Sequence, residues 1–249
     1  MNDVDLEIFL PVHNEADSIE ATVRAIYEEL SSRLRVGFII CEDGSQDATK
    51  QILRSLAKEL PLRLNLSDRR RGYSRAVRDG MQMLQAEYLL CLDSDGQCDP
   101  ADFWQFWEAR KSADLLIGWR VDRQDTSFRK ASSRFFFALY QAFLRVPVHD
   151  PSCPYLLMSK RIVREVTPQL GAMQQGFWWE FVARVHGNGG SMRELPVHHR
   201  LRAAGVTQVY KWNKLPGILL SHLLALIAIR NDNRKVQATV SILNASVEV

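Results

Sequence analysis

YLLCLDSDGQCDP, residues Tyr88 to Pro100, runs a short apolar segment straight into two carboxylates one residue apart. Asp93 and Asp95 repel each other at that spacing, so the pair is costly unless a cation sits between them. Two acids on a turn suit a hard divalent ion, Mg2+ or Mn2+, which is held by one or two carboxylates together with phosphate oxygens. Gln97 adds an amide oxygen two residues on, facing the same way if the chain stays extended. The bland reading makes one Asp a turn residue and another an N-cap. That accounts for Asp99, which with Pro100 starts the next helix. It does not account for an acid at the last strand position with another two residues later. On pattern alone both readings stand.

Outward from this stretch, the first 120 residues alternate strand and helix. LEIFLPV reads as a strand, and Asp17 with Glu20 forms a capping box for a helix through Leu30. VGFIICEDGS is a strand ending in acids, and Asp47 caps a helix carrying Ile52, Leu53, Leu56 and Leu60. LRLNL, YLLCLD and DLLIGWR are further strands, with a glycine-started helix, GYSRAVRDGMQML, between the first two. Such alternation implies a mostly parallel sheet, in which ligands bind beyond the carboxyl ends of the strands. Asp43 and the Asp93–Asp95 pair should therefore face one crevice. In the second half, SSRFFFALYQAFLRV and GFWWEFVARVHGNGG read as helices, YLLMSKRIVREV as strand then helix, and MRELPVHH as a strand. Phe177, Trp178 and Trp179 read as core or membrane-facing side chains rather than sugar platforms.

The 249 residues, 46% hydrophobic and 24% charged, are those of an ordinary globular chain with room for a sizeable core. A net charge of +3 is too small to argue for a nucleic-acid partner, and Arg69, Arg70 and Arg71 read as a solvated loop. Cys41, Cys91, Cys98 and Cys153 form no CxxC, which points to a reduced, cytoplasmic compartment. Acids precede the first apolar run, so the N-terminus does not read as a secretory signal. Leu215 to Ile229 would make a helix of about 22 Å, short of the roughly 30 Å of a bilayer core. It either packs in the core or lies in a membrane interface, with Lys211, Lys214 and Arg230 toward headgroups. No repeat or linker appears, so residues 1–230 read as one domain. Its parts are 1–120, 121–214 and an amphipathic helix over 215–230, followed by a loosely held tail, 231–249. No G-x-G-x-x-G follows the first strand and no lysine-bearing phosphate loop exists, which excludes dinucleotide oxidoreductases and P-loop nucleotidases.

FLPVHNEADSIEATV, IICEDGSQDAT and CLDSDGQCDP, in this order, resemble the family 2 glycosyltransferases of GT-A fold. The nearest likeness is to the polyprenyl-phosphate type, similar to dolichol-phosphate mannose synthase. It covers Leu6 to Arg120 well and continues more loosely to Lys214. The resemblance implies an α/β fold, a mostly parallel sheet flanked by helices. It also implies inverting, metal-dependent transfer of a sugar from a UDP- or GDP-sugar to a polyprenyl phosphate at the inner membrane face. Carried over, Pro11, Asn14, Glu15, Asp43, Gly72 and Asp93 would bind the nucleotide sugar, with Asp43 on the base, and Asp93, Asp95 and Gln97 the metal. Arg120 would stand near the diphosphate or the acceptor phosphate, with Ser152, Arg202 and Thr207 also at the acceptor. Asp95 and Arg120 would stabilise charge on the leaving diphosphate.

The chain departs from the family pattern at four places along its length. Glu42 replaces an Asp, Trp119 a small residue, Cys153-Pro154-Tyr155 a Gly-Phe, and Gln208 a Lys. These departures leave open a hydroxyl of a lipid or saccharide as acceptor, or a member that binds without turnover. A phosphate acceptor is already ionised near neutral pH, with a second pKa of about 6. A hydroxyl needs a general base, for which Asp150 and Glu180 are the candidates.

Overall fold

Leu6–Val12 (β1) and Val36–Glu42 (β2) are buried along their whole length, as strands covered on both faces must be. The computed structural model describes residues 4–121, 127–173, 176–198 and 215–247. Ile19–Ser31 (α1) joins β1 to β2, and Thr49–Leu56 (α2) leads to Leu62–Leu66 (β3). Tyr73–Gln82 (α3), Tyr88–Cys91 (β4), Phe103–Ala109 (α4) and Leu115–Arg120 (β5) follow. The rest is Ser127–Leu144 (α5), Leu156–Ser159 (β6), Lys160–Val166 (α6), Phe177–Gly187 (α7), Met192–Val197 (β7) and Leu215–Val247 (α8).

All strands join one seven-stranded sheet in the order β3-β2-β1-β4-β6-β5-β7. β6 is antiparallel to both its neighbours and every other pairing is parallel. This is the mostly parallel α/β sheet that the alternation implied. β6 comes from the second half of the chain yet sits between β4 and β5, so the two halves share one sheet. The one acid inside β1, Glu7, is buried and satisfied by Arg63 and by the amides of Gln85 and Ala86. Gly80 lets α3 lie directly on β1, since a Cβ there would stand 2.1 Å from the Phe9 ring.

Three local expectations differ from what is found. The capping box does not form: α1 starts at Ile19, and Ser18 donates its hydroxyl to the Glu15 carboxylate instead of capping. Asp47 accepts from the Thr49 amide at 3.0 Å, but α2 ends at Leu56, so Leu60 lies past the helix. The expected boundary at residue 230 is absent, because α8 continues through the polar segment to Val247. That segment finds partners on α7. Asn233 donates to the Ala183 carbonyl at 2.9 Å and fits over Gly187, where a Cβ would collide with it. Asp232 pairs with Arg184 at 3.0 Å. Among the described residues no helix is long and apolar enough to cross a membrane.

Candidate active site

The register of β1 brings the acids together. Val12 is level with Glu42, and Phe9 with Cys91, so β1, β2 and β4 deliver their following loops to the same edge of the sheet. Pro11 is buried in β1 beside Cys41. Asn14 has a left-handed φ of 54°, a conformation Asn tolerates. Its amide donates to Ser45 Oγ at 2.8 Å, and its side-chain oxygen accepts from the Gln46 amide at 2.9 Å. Glu15 donates its amide to Thr49 Oγ1 at 3.0 Å. Asn14 and Glu15 thus stitch the loop after β1 to the loop after β2.

Asp43 follows β2 and is 4% exposed. Its two oxygens accept from the backbone amides of Arg71 at 2.6 Å and Gly72 at 2.8 Å. Gly44 has φ +68°, and a Cβ there would lie 2.2 Å from the Arg70 nitrogen, so the two loops are in contact. Expected at the nucleotide base, Asp43 in this structure holds the start of α3, with Gly72 as its N-cap at φ 101°. Glu42, buried, accepts from the Ser45 amide and lies 3.7 Å from Lys50 Nζ.

Asp93 and Asp95 are half-buried on the turn after β4. Gly96, at φ +73°, turns the chain back so that the Gln97 amide donates to Asp95 Oδ1 at 3.1 Å. The extended path assumed for Gln97 is therefore not taken, because a left-handed glycine intervenes. Burial first and the Asp93 charge second push the Cys98 thiol well above its usual value. Tyr73 accepts from Trp178 Nε1 at 2.8 Å, a pair that no motif in the sequence signalled. Among the described residues no group of three or more His, Cys, Asp and Glu could hold a metal ion. Two carboxylates on one turn still suit a hard ion whose other ligands are phosphate oxygens.

Arg120, Asp150 and Ser152 do come together. Asp150 accepts from Arg120 Nε at 2.7 Å and Nη2 at 2.9 Å, and from Ser152 Oγ at 2.8 Å. Burial alone would ease the proton off Arg120, but this two-pronged carboxylate outweighs it and keeps the guanidinium charged. Glu194 on β7, which the sequence did not single out, accepts from the amides of His149 at 2.7 Å and Asp150 at 3.0 Å. Trp119 stacks on His149 with ring centroids 5.7 Å apart.

Glu180, the other candidate base, clamps the loop ahead of α7. It is fully buried, accepting from the amides of Gly171, Ala172 and Met173 at 3.1, 3.0 and 2.8 Å and from Arg184 at 3.2 Å. Burial of this acid is possible because three amides and a guanidinium neutralise it. Phe177 and Trp178 are core, as expected. Arg202, Thr207, Gln208, Lys211 and Lys214 lie outside the described residues.

Residues 7–167 match the family model for glycosyl transferase family 2. Dodecaprenyl-phosphate galacturonate synthase of Rhizobium johnstonii is 29% identical over 82% of this chain, which spans 62% of that relative's length. Undecaprenyl-phosphate 4-deoxy-4-formamido-L-arabinose transferase of Edwardsiella ictaluri is 30% identical over 59% of this chain and 47% of its own. In fold, the chain is similar to glucosyl-3-phosphoglycerate synthase of Mycobacterium tuberculosis, solved with Mn2+, UDP-glucose and phosphoglyceric acid. The TM-score is 0.64 at 15% identity, covering 92% of this chain and 80% of that one.

Glu180→Ala should cost about 3 kcal/mol of unfolding free energy in urea, because it leaves Arg184 buried with only Asp232 beside it. A variant of unchanged stability that had lost turnover would instead make Glu180 a reacting group.

Proposed function

The chain belongs to glycosyl transferase family 2, and from that premise we propose that it transfers a sugar from a nucleotide diphosphate sugar to a polyprenyl phosphate, with inversion. The observation that carries the acceptor is the state of the two candidate bases. Asp150 is held by both prongs of Arg120, and Glu180 is sealed beneath the Gly171–Met173 loop. Both carboxylates are engaged in hydrogen bonds, whereas a phosphate monoester is already ionised and needs no base. The polyprenyl phosphates in the names of the two relatives agree with this reading.

A second reading, transfer to a hydroxyl-bearing acceptor, draws on a different observation. Cys153-Pro154-Tyr155 is buried beside Arg120 where the family has Gly-Phe, so the acceptor pocket is altered. The fold neighbour crystallised with phosphoglyceric acid, itself a hydroxyl-bearing phosphate, supports it too.

The donor end would work as follows. Asp93 and Asp95 would hold Mg2+ or Mn2+ together with the donor's phosphates, with Gln97 in the same turn. Such an ion, when bound, neutralises charge that develops on the leaving diphosphate. Arg120 directs its Nη1 donors to phosphate oxygen while Asp150 and Ser152 fix the plane of its guanidinium. Asp43, by holding the Arg71 and Gly72 amides, keeps the start of α3 beside the nucleotide. Pro11, Asn14 and Glu15 form the facing wall.

Membrane contact is assigned to α8. Leu219, Leu220, Leu224 and Ile227 are exposed on it, with Leu220 and Leu224 each 59% exposed, and Arg230, Arg234 and Lys235 follow. An apolar strip beside cations suits an anionic headgroup layer.

Purified protein with Mn2+ or Mg2+, UDP- or GDP-sugars and polyprenyl phosphate should label the lipid, and Asp95→Asn should lower the rate at least about a hundredfold. Against pH, kcat/KM should rise through the acceptor's ionisation near about 6 and then stay level. A rate tied to a protein base, with nucleotide released and lipid unlabelled, would move the function to a hydroxyl acceptor. Leu220→Gln with Leu224→Gln should reduce flotation on anionic liposomes several-fold, and equal recovery would remove the membrane role.

A further inference from the structure

A cleft of about 500 Å3 opens at the start of α3. Gly72, the N-cap whose amide Asp43 holds, lies in its wall, so the cleft continues the proposed donor site. Its accessible side chains come from α3 and the residues just before it: Arg71, Tyr73 and Arg75 are exposed and Arg78 is half-buried. Across from them Gly171 is exposed, while the Leu170, Met173 and Phe177 side chains belong to the core. Three arginines line the cleft and no carboxylate does. Asp79 balances Arg71 at 3.0 Å. Arg78 donates to the Leu170 carbonyl at 3.0 Å, a neutral acceptor that leaves its charge in place. Among the described residues no acid lies at ion-pair distance from Arg75 or Arg78, which share one face of α3. Tyr73 presents a ring that is 40% exposed and fixed in place, by the Trp178 indole at its hydroxyl and by the edge of Phe177, 6.4 Å between centroids. It also stands within reach of the Asp93 charge.

Uncompensated cations beside a fixed, exposed aromatic ring suit a ligand that has both a C–H face and an anionic group. Any pyranose offers the face, but a neutral hexose lacks the anion. A hexuronic acid carries one at its C6 carboxylate, which is ionised at neutral pH. We propose that the sugar this chain transfers is a uronic acid, with its ring on Tyr73 and its carboxylate on Arg75. The inference rests on the nucleotide-sugar reading above and names the class of sugar. A guanidinium fork matches the two oxygens of a carboxylate, and Arg78 adds a second positive charge on the same face. The diphosphate has positive partners of its own in the divalent ion and Arg120, which leaves Arg75 for a further anion.

The test is calorimetric binding to the full chain with Mn2+, which does not depend on turnover or on the acceptor. The probes are pairs that differ only at C6: UDP-glucuronate with UDP-glucose, UDP-galacturonate with UDP-galactose, and GDP-mannuronate with GDP-mannose. UDP and GDP alone are the controls. Each is titrated into the unaltered protein, Arg75→Gln and Arg75→Lys, with thermal melts to check folding. In at least one pair the acidic sugar should bind at least about tenfold more tightly than the neutral one. Arg75→Gln should abolish that preference and leave the free nucleotide within about twofold, while Arg75→Lys, which keeps the charge, should retain part of it. Equal affinities within every pair, or a preference that survives Arg75→Gln, would overturn the proposal. An equal loss for the free nucleotide would assign Arg75 to the diphosphate and overturn it as well. No binding of either free nucleotide would contradict the nucleotide-sugar reading itself, and the inference with it.

Discussion

The site depends on one constraint, the register of β1 against both its neighbours. β1 is hydrogen-bonded in parallel to β2 on one side and β4 on the other. Parallel strands end at the same edge, so the loops after them cannot avoid each other. Asn14, Asp43 and Asp93 each lie within two residues of the end of one of these strands. The burial of β1 makes the register rigid. A slip of one residue would turn Glu7 away from Arg63 and drive apolar side chains onto the wrong face.

Around that edge most of the acids serve as clamps. Asp43 holds two amides of the loop before α3, Glu180 holds three of the loop before α7, and Glu194 holds the amides of His149 and Asp150. Each clamp offsets the cost of burying a carboxylate with charge-assisted hydrogen bonds to backbone amides. Together they fix the segments that carry Gly72, Phe177 and Arg120. The Asp93–Asp95 turn differs from these: its acids are only half-buried, on the loop that follows β4.

Much of this was legible in the sequence because the central strands are largely apolar runs and the edge strand β3 alternates. LEIFLPV and LRLNL have the bounds of β1 and β3, and the acids that close the other runs mark the site edge. What was not legible depends on partners remote in sequence. Glu180 could not be known as a buried anchor without the Gly171–Met173 loop folded over it and Arg184 beneath. The polar residues from Asn231 read as a tail, and the notch at Gly187 into which Asn233 packs is set by a helix remote in sequence. The path of the chain at Gln97 depends on Gly96, whose left-handed φ of 73° no neighbouring residue signals. Glu194 gave no signal at all, being one acid in an ordinary edge strand.

The claim on which the rest stands is that the turn after β4 receives a nucleotide diphosphate through a divalent ion. Crystals grown with UDP and Mn2+, measured at the manganese absorption edge, test it directly. The account predicts an anomalous peak bounded by the Asp93 and Asp95 carboxylates and by diphosphate oxygens. UDP bound at the strand ends with no manganese against either carboxylate would contradict it.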